Sequence, residues 1–394
     1  MRTAAASYSA FAAFGAFWGT WGAALPALRS AAGVEEAELG AALLFVGLGA
    51  LPAMLLTGRL VDRFGTRTAG WLLLSLALAG LLMTATARDL PTLAAGMALV
   101  GATSGAADVA ANALAGLAEQ RSGRRVITLA HGVFSSFVVI GSLGTGALRA
   151  AGAEVLTLFA AAAALMAVAG AMVLVLADGP APAAPPRSGR RRDSARLALP
   201  LVAVGLIGAL AFAAENAHQS WSALFLTDEL GAGAGLSAVA PATFAGSAAV
   251  TRFAAGVLTR VPPDRLLLGG AGVALLGTLL VSAAPNVPSA LAGLSLAAAG
   301  TSVLFPTLLS RATRDVPESR RGRATSAIAT TAYLGFVLGP VYVGVLAGAV
   351  GLRGAMAGVA LLLAAFALLA LPVTRRAARA TAAAEGRGVP LASR

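Results

Sequence analysis

The chain has 394 residues, 58% of them hydrophobic, and a formal net charge of +12 that rests on 29 arginines and no lysine. The absence of cysteine excludes disulfides, thiol catalysis and cysteine metal sites, and the absence of lysine excludes a Walker A phosphate loop and a pyridoxal Schiff base. Apolar stretches long enough to cross the ~30 Å core of a bilayer recur throughout, which predicts an all-α membrane protein rather than a soluble, basic nucleic-acid-binding protein.

Twelve apolar segments have the length and composition of membrane-spanning helices. The first is too long for the apolar core of a signal peptide, and further apolar segments follow it, so we interpret it as a span. A β-barrel is excluded, because it would show alternating segments of about ten residues. The predicted spans are residues 7–28, 39–57, 69–87, 92–117, 127–148, 153–176, 198–226, 236–258, 266–284, 288–310, 324–348 and 353–373.

The arginines are distributed unevenly between the two sides of the membrane. With the N-terminus in the cytoplasm, 25 of the 29 arginines fall on the cytoplasmic side. The opposite side receives only Arg29, Arg88, Arg149 and Arg353. Because cytoplasmic loops of membrane proteins retain positive charge, we predict a multi-pass protein of the bacterial inner membrane, with both termini in the cytoplasm and an even number of spans.

A segment that is rich first in proline and then in arginine separates the sixth span from the seventh. Proline breaks helices, and such a composition does not pack, so the segment is predicted to be a cytoplasmic linker between two domains. The predicted units are an N-terminal six-helix half (1–177), the linker (178–196), a C-terminal six-helix half (197–373) and a basic cytoplasmic tail (374–394).

The two predicted halves are related in sequence. An ungapped offset of 198 residues pairs Gly33 with Gly231 and Gly141 with Gly339, among other matches. A parallel repeat of two six-helix halves, with the substrate bound between them near the middle of the membrane, is a known transporter design. The repeat therefore directs attention to polar residues near the middle of the spans.

Two carboxylates lie well inside predicted spans, Asp108 in the fourth and Glu215 in the seventh. Ionisable residues at this depth are costly and usually functional. Asp108 shares a helical face with Ser104 and Asn112, at i−4 and i+4. The alternative for Asp108 is a structural hydrogen bond to a neighbouring helix.

Glu215 is followed by two polar residues one turn further along the seventh span. His218 and Gln219 lie at i+3 and i+4, so we expect the three side chains to share a face. A protonated His218 would then titrate together with Glu215. The alternative is a paired, inert polar cluster.

Other candidates are less specific. Trp18 and Trp21 of the first span are placed to stack on a sugar-like or aromatic substrate, although aromatic stripes more often pack or contact lipid. Tyr333 of the eleventh span follows two threonines and is a cavity candidate. His131, near the start of the fifth span, is typical of a packing residue, and Arg252 is typical of a side chain that snorkels to the interface.

The loop between the second and third spans reads GRLVDRFGTR. It resembles the signature loop of the major facilitator superfamily, Gly-x-Leu-x-Asp-Arg-x-Gly-x-Arg, at Gly58, Asp62, Arg63, Gly65 and Arg67. The resemblance implies that these residues form a latch, which bridges the two halves when the cytoplasmic side is closed. The alternative is a plain loop whose arginines hold it in the cytoplasm.

Further segments resemble one bacterial branch of that superfamily, permease-like proteins loosely associated with sugar- and cyclitol-type compounds. They are Asp108-Val109-Ala110-Ala111-Asn112, His131-Gly132, Glu215-Asn216, Trp221-Ser222-Ala223-Leu224 and Gly335-Phe336 with Gly339-Pro340. The superfamily resemblance implies twelve helices in two six-helix halves. It also implies a central cavity lined by the first, fourth, seventh and tenth spans.

These features lead us to expect a secondary active transporter and not an enzyme. We expect it to move a small organic solute by alternating access, as a monomer in the lipid bilayer, with protons as the coupling ion and without cofactor, metal or nucleic acid. We expect Asp108 and Glu215 to couple to protons, with Asp108 as the main proton carrier. The candidate cavity residues are Trp18, Trp21, Ser104, Asn112, Glu215, His218, Gln219 and Tyr333.

Two rival functions share the same expected fold. One is a facilitator that needs no coupling ion. The other is a membrane receptor or assembly protein that transports nothing. A carboxylate within each half favours transport over the second rival, because a purely structural role would not require a costly charge on both sides.

Overall fold

The computed structural model describes residues 2–177, 194–257, 261–314, 316 and 318–386. Throughout these residues the secondary structure is entirely helical. Most of the predicted linker (178–193) and the end of the predicted tail (387–394) lie outside the described residues. The helices are α1 (Arg2–Ala32), α2 (Glu36–Phe64), α3 (Thr68–Thr86), α4 (Leu90–Ser122), α5 (Val126–Ala150), α6 (Val155–Leu176), α7 (Ser194–Asp228), α8 (Ala234–Ser237), α9 (Val239–Val257), α10 (Pro263–Ser282), α11 (Val287–Thr313), α12 (Glu318–Ala332) and α13 (Leu334–Gly386).

Ten helical segments of the described chain are long and apolar enough to cross a membrane. α1 is not among them, and the last of the ten, Ala324–Arg379, runs from α12 into α13. Gly351 interrupts that segment, because its backbone (φ 74°, ψ 169°) is not helical. Each predicted span overlaps a helix, and Gly351 lies between the last two. α13 continues to Gly386, so the predicted tail begins as helix.

Helices of the N-terminal group, α1–α6, pack backbone against backbone at glycines. α1 lies against α5, where a methyl group on Gly15 or Gly141 would overlap the carbonyl of Phe134 or Ala16. α2 lies against α4 in the same way at Gly101. Lipid offers no hydrophobic drive for helix association, and small residues at the contacts allow the close van der Waals packing that replaces it.

The C-terminal group, α7–α13, uses the same kind of contact. α7 lies against α13, where a methyl group on Gly335 would overlap the Ala209 carbonyl and one on Gly339 would lie 2.9 Å from the Ala213 Cα. Gly339 stands 198 residues after Gly141, the glycine at which α5 meets α1. The first helix of each group is therefore packed against a glycine-bearing partner at an equivalent place.

Four glycines with positive φ form two pairs across the groups. Gly33 after α1 has φ +64° and Gly231 after α7 has φ +63°, while Gly152 after α5 has φ +85° and Gly351 inside α13 has φ +74°. A side chain is disfavoured in this left-handed region, so each position requires glycine. The two glycines of the first pair are 198 residues apart and those of the second pair 199, close to the offset found in the sequence.

α4 and α11 begin with the same capping motif. Asp89 accepts a hydrogen bond from the Thr92 backbone N–H (2.9 Å), Asn286 accepts one from the Ser289 N–H (3.0 Å), and a proline lies in each first turn. The hydrogen bonds from the Thr92 hydroxyl and N–H hold the pKa of Asp89 below its usual value. The carboxylate therefore stays charged at the positive end of the helix dipole.

The two groups meet backbone to backbone at one end of the bundle, which we call the Arg29 end. The opposite end, with the α2–α3 loop, is the Asp62 end, where the Phe253 side chain of α9 lies 3.2 Å from a methyl group added to Gly132 of α5. A methyl group on Gly40 of α2 would lie 2.7 Å from the Cα of Gly344 of α13, so these helices meet backbone to backbone. Across the bundle, the Ser142 hydroxyl of α5 donates to the Ala238 carbonyl between α8 and α9 (2.8 Å).

Arg29 adds an ion pair between the groups at the same end. Its Nη1 lies 2.7 Å from Glu36 Oε1 in its own group and 2.6 Å from Asp228 Oδ2 in the other. The three side chains are 20–34% exposed, so the pairs are worth only about 1 kcal/mol or less each. The close backbone contacts therefore dominate the closure of this end.

Gly141→Leu is expected to lower the stability of the protein, because the new side chain would force α5 away from α1 at a cost of about 1–3 kcal/mol. Gly144→Leu, one turn along the same helix, is the matched control, since nothing lies within 4 Å of the added Cβ. The melting temperature in detergent, followed by tryptophan fluorescence, should fall for the first variant only. Equal melting temperatures would contradict the packing described here.

Candidate functional site

A cavity of about 470 Å³ lies between the two groups. Its walls come from α1, α2, α4 and α5 on one side and from α7, α9, α13 and Tyr333 on the other. Among the described residues α11, the expected tenth span, contributes no lining side chain. Its Phe305 instead packs behind Phe212, with ring centres 4.3 Å apart, and Phe212 in turn packs on the lining residue Phe336 (4.5 Å).

Asp108 reaches the cavity from α4 and is half-buried. The Asn112 side-chain amide donates to the Asp108 backbone carbonyl (2.9 Å) and to Asp108 Oδ1 (3.0 Å). His131 Nε2 of α5 lies 3.2 Å from Asn112 Oδ1. Within the described part of the chain, no basic nitrogen lies within 4 Å of the Asp108 carboxylate.

Ser104, predicted to share the stripe of Asp108, is buried and lines the cavity one turn away. Its hydroxyl donates to the Gly101 carbonyl of its own helix (3.2 Å). Asn112 does not line the cavity. It holds the Asp108 carboxylate from behind, so its role is positioning rather than contact.

Glu215 has an arginine partner that the sequence analysis did not assign to it. Arg252 Nη2 of α9 lies 2.8 Å from Glu215 Oε1, and the Gln219 amide donates to the same oxygen (3.3 Å). Arg252 was expected to snorkel to the interface, but it points into the cavity instead. The Glu215 side chain is only 9% exposed and that of Arg252 is 47% exposed, so the pair presents its cationic side to the cavity.

His218 lies away from the cavity, in contrast to the expectation that it would accompany Glu215. Its Nε2 lies 2.9 Å from the Thr278 hydroxyl of α10, and its ring stacks on Phe244 (5.6 Å between centres). The reason is helical geometry at 100° per residue. Gln219 and His218 lie on opposite sides of Glu215, and only the side of Gln219 faces the cavity.

The aromatic candidates line one wall of the cavity. Trp18 and Trp21 of α1 are in edge-to-face contact with each other (5.7 Å), and Phe14 of the same helix also lines the cavity. Tyr333 lines the opposite wall beside Phe336 (5.4 Å). The cavity therefore has aromatic surfaces on both sides and polar groups between them.

The polar lining residues that were not among the candidates include Asn216 and Ser220 of α7 and Ser135 of α5. The Asn216 amide donates to the Phe336 carbonyl (3.1 Å), and the Ser220 hydroxyl donates to Asn216 Oδ1 (2.7 Å). Both side chains line the cavity. Their i, i+4 spacing was the sequence signal for a second polar stripe beside Glu215 and Gln219.

The loop of the predicted latch makes contacts within its own group. Asp62 and Arg63 lie in the last turn of α2, and Gly65 ends the helix with φ 75° and an N–H donated to the Val61 carbonyl. Arg67 Nε donates to the Ala177 carbonyl after α6 (3.1 Å). Asp62 is exposed and forms no ion pair within the described residues, and Gly58 has no neighbour within 4 Å of an added Cβ. The bridge to the C-terminal group remains a prediction for another conformation.

The profile of the Major Facilitator Superfamily matches residues 7–286 and 204–394. An uncharacterized MFS-type transporter of Yersinia pestis is 30% identical over 364 residues, which are 89% of this chain and 90% of that protein. An uncharacterized transporter of Sinorhizobium fredii is 31% identical over 372 residues, which are 89% of this chain and 93% of that protein.

Solved structures share the fold at low sequence identity. A bacterial homolog of the human lysosomal transporter Spinster, in an inward-facing and occupied conformation, has a TM-score of 0.76 at 15% identity and covers 94% of this chain and 96% of its own. The D-xylose-proton symporter has a TM-score of 0.72 at 16% identity, with coverage of 94% and 96%. The nucleoside transporter NupG has a TM-score of 0.73 at 15% identity, with coverage of 95% and 99%. Taken with the family profile, these matches mean that the chain belongs to the Major Facilitator Superfamily.

Proposed function

We propose that this protein is a proton-coupled secondary transporter, which carries a small polar organic solute across the bacterial inner membrane. One observation carries the proposal. Asp108 brings a carboxylate that has no basic partner among the described residues to a cavity between two groups of helices, and the backbone-to-backbone contact between those groups lies at the Arg29 end. A group that gains and loses a proton thus stands where two moving halves would meet.

The proposed halves are residues 1–177 and 197–373, joined by the linker 178–196 and followed by the tail 374–394. The two pairs of positive-φ glycines and the shared capping motif support a six-plus-six repeat. Counting α1 as a span and dividing Ala324–Arg379 at Gly351 gives twelve spans.

The proposed mechanism is rocking of the halves about the cavity. The arginine count assigns the Asp62 end to the cytoplasm, so the backbone contacts at the Arg29 end would close the outer side. Asp62 forms no ion pair among the described residues, which fits this assignment, because a latch between the halves is needed only when the cytoplasmic side is closed. The Spinster homolog, described as inward-facing, offers a comparable state.

The lining of the cavity supports a ring-shaped solute with hydroxyl groups. Indole rings can stack on the apolar face of such a ring, while Asn216, Gln219 and Ser220 offer amide and hydroxyl groups to its edge. The resemblance to sugar- and cyclitol-associated permeases favours the same class. The xylose and nucleoside transporters with this fold carry solutes of that chemistry by their names.

Proton coupling is favoured over ion-independent facilitation by the charges of the cavity. Glu215 is neutralised by Arg252, whereas among the described residues the Asp108 carboxylate has the Asn112 amide as its partner and no basic group. Burial disfavours the charged form of an unpaired carboxylate, so protonation of Asp108 would ease passage of the loaded cavity through a closed state. In this division of labour Asp108 carries the proton, while Glu215, Gln219 and Asn216 contact the solute.

Orientation can be measured with single cysteines, because the chain has none of its own. Ser122→Cys at the Asp62 end should react with a membrane-impermeant maleimide only in inverted vesicles or broken cells. Ala151→Cys at the Arg29 end should react in intact cells. Both positions are exposed, so failure to label from either side would not be expected, and the reverse pattern would overturn the orientation.

Asp108→Asn is expected to abolish accumulation of solute driven by a pH gradient and to retain exchange between equal pools, since exchange need not release the proton. The assay is uptake into proteoliposomes of pentoses, hexoses, cyclitols and nucleosides, with and without an inward proton gradient. Asp89→Asn makes the same chemical change at an exposed helix cap that tolerates asparagine, and it should accumulate solute like the wild type. Wild-type accumulation by Asp108→Asn would refute the carrier role.

Glu215→Gln should weaken solute binding about tenfold or more, because a charge-assisted hydrogen bond is lost and Arg252 is left without its counter-ion. Arg252→Gln alone should lower stability by ~1–3 kcal/mol, since it leaves a buried carboxylate unpaired while the half-exposed arginine limits the loss. The double variant should regain stability without regaining binding. Binding is measured by competition in exchange assays and stability by thermal unfolding. Wild-type solute affinity in Glu215→Gln would show that Glu215 does not contact the solute.

A further inference from the structure

A chain of three side chains links α4 to α5 in the N-terminal group and is not explained by solute binding. Asn112 joins the Asp108 carboxylate to the His131 imidazole through its two amide atoms. We propose that Asp108, Asn112 and His131 form a shared-proton unit, in which His131 is a second proton-carrying group and Asn112 positions it. This inference rests on the proposed proton coupling and adds a residue to it.

The hydrogen bonds fix the tautomer of His131. One amide atom of Asn112 lies 2.9 Å from the Asp108 carbonyl oxygen and 3.0 Å from its carboxylate oxygen. Because both neighbours are acceptors, that atom must be the nitrogen, and the amide oxygen is left to face His131 Nε2 at 3.2 Å. An oxygen accepts only, so Nε2 carries a hydrogen and Nδ1 is the nitrogen free to take a proton.

The positions of the three residues describe a path toward the Asp62 end. Asp108 lies near the middle of α4, Asn112 is one turn closer to the Asp62 end, and His131 lies in the second turn of α5 at that end. His131 is exposed and lines the cavity, whereas Asp108 is half-buried. His131 thus lies between the carboxylate and the Asp62 end of the bundle.

In the proposed step, the proton leaves the Asp108 carboxyl oxygen and, through cavity water, binds His131 Nδ1. The products are a carboxylate and an imidazolium, and the amide of Asn112 is chemically unchanged. Its hydrogen bonds to Asp108 Oδ1 and to His131 Nε2 then become charge-assisted, since the amide N–H faces an anion and the amide oxygen faces a cation. One amide therefore stabilises both ends of the charge-separated state, and the proton is shared without direct contact between its two sites.

Other groups around the unit determine its electrostatic setting. The edge of the Phe11 ring from α1 lies against His131 (4.9 Å) and is uncharged, and α2 lines the cavity with apolar side chains and glycine. Arg252 faces His131 from α9, and its positive charge acts on the ring and opposes that of an imidazolium, although Arg252 is also paired with Glu215. The further titratable groups near the unit are Glu119, whose carboxylate accepts the Ile127 N–H at the start of α5, and Glu215 and Tyr333 across the cavity.

Nitrogen-15 NMR of histidine-labelled protein in nanodiscs tests the unit without any solute. The chain has two histidines, so the difference between wild type and His131→Gln isolates the His131 signals. The neutral ring is expected to carry its hydrogen on Nε2 and to take its second proton on Nδ1 as the pH falls. A neutral ring protonated on Nδ1 would overturn the proposal, whatever the behaviour of the variants.

The same spectra measure the coupling to Asp108. The His131 titration midpoint should move by about 0.5 pH unit or more in Asp108→Asn, because a nearby unit charge is lost, and it should stay in place in the control Asp89→Asn. In an Asn112→Leu background, of similar size but without the amide, the shift caused by Asp108→Asn should shrink. The shared-proton unit would be refuted if the His131 midpoint did not change in Asp108→Asn, or if that change were equally large with and without Asn112→Leu.

Function then separates the unit from the proposed transport. His131→Gln keeps an N–H for Asn112 but cannot take a proton, so solute exchange should persist while its dependence on pH changes. If the His131 midpoint depends on Asp108 but the wild type shows no accumulation driven by a pH gradient, proton-coupled transport is rejected. The shared proton would then have no role in transport. If the wild type accumulates solute and His131→Gln exchanges it with the same dependence on pH, only the proton-carrying role of His131 is rejected.

Discussion

Backbone contact between α2 and α13 at the Arg29 end is the constraint on which the rest of the structure depends. Gly40 and Gly344 allow these helices to meet without intervening side chains, and Arg29 adds a weaker ion pair from α1 to α7. Further along, Val337 of α13 still packs against Gly47 of α2, and Met54 and Phe336 of the same two helices line the cavity. The close backbone contact at the Arg29 end leaves room beyond it for the cavity that the polar residues line.

The two carboxylates of the cavity are stabilised in different ways. In the C-terminal group, Glu215 is buried against Arg252 and Gln219, so its charge is largely balanced before any ligand arrives. In the N-terminal group, the partner of the Asp108 carboxylate within the described chain is the Asn112 amide, which also holds His131. In the proposed function, the charges of the C-terminal group recognise the solute and the carboxylate of the N-terminal group takes up the proton. This difference is the physical basis of the proposed coupling.

The sequence alone predicted the helices and the depth of the two carboxylates, because long apolar runs and isolated charges in lipid leave few alternatives. It also predicted cavity positions for Trp18, Trp21, Ser104, Gln219 and Tyr333, each of which lines the space between the groups. It could not predict the partner of Glu215, since Arg252 comes from another helix. Nor could it separate His218 from Gln219, because residues at i+3 and i+4 flank the same face and only the packing against α10 decides between them.

The central claim, that opening one end closes the other, is tested most directly by electron–electron distance measurements in nanodiscs. Spin labels would be attached to Ser122→Cys with Arg314→Cys at the Asp62 end, and to Ala151→Cys with Ala283→Cys at the Arg29 end. Gly40→Leu should block the backbone contact with Gly344. We predict a longer distance at the Arg29 end and a shorter one at the Asp62 end, with no change in either for Gly144→Leu. Opening of the Arg29 end with an unchanged Asp62 end would contradict the account.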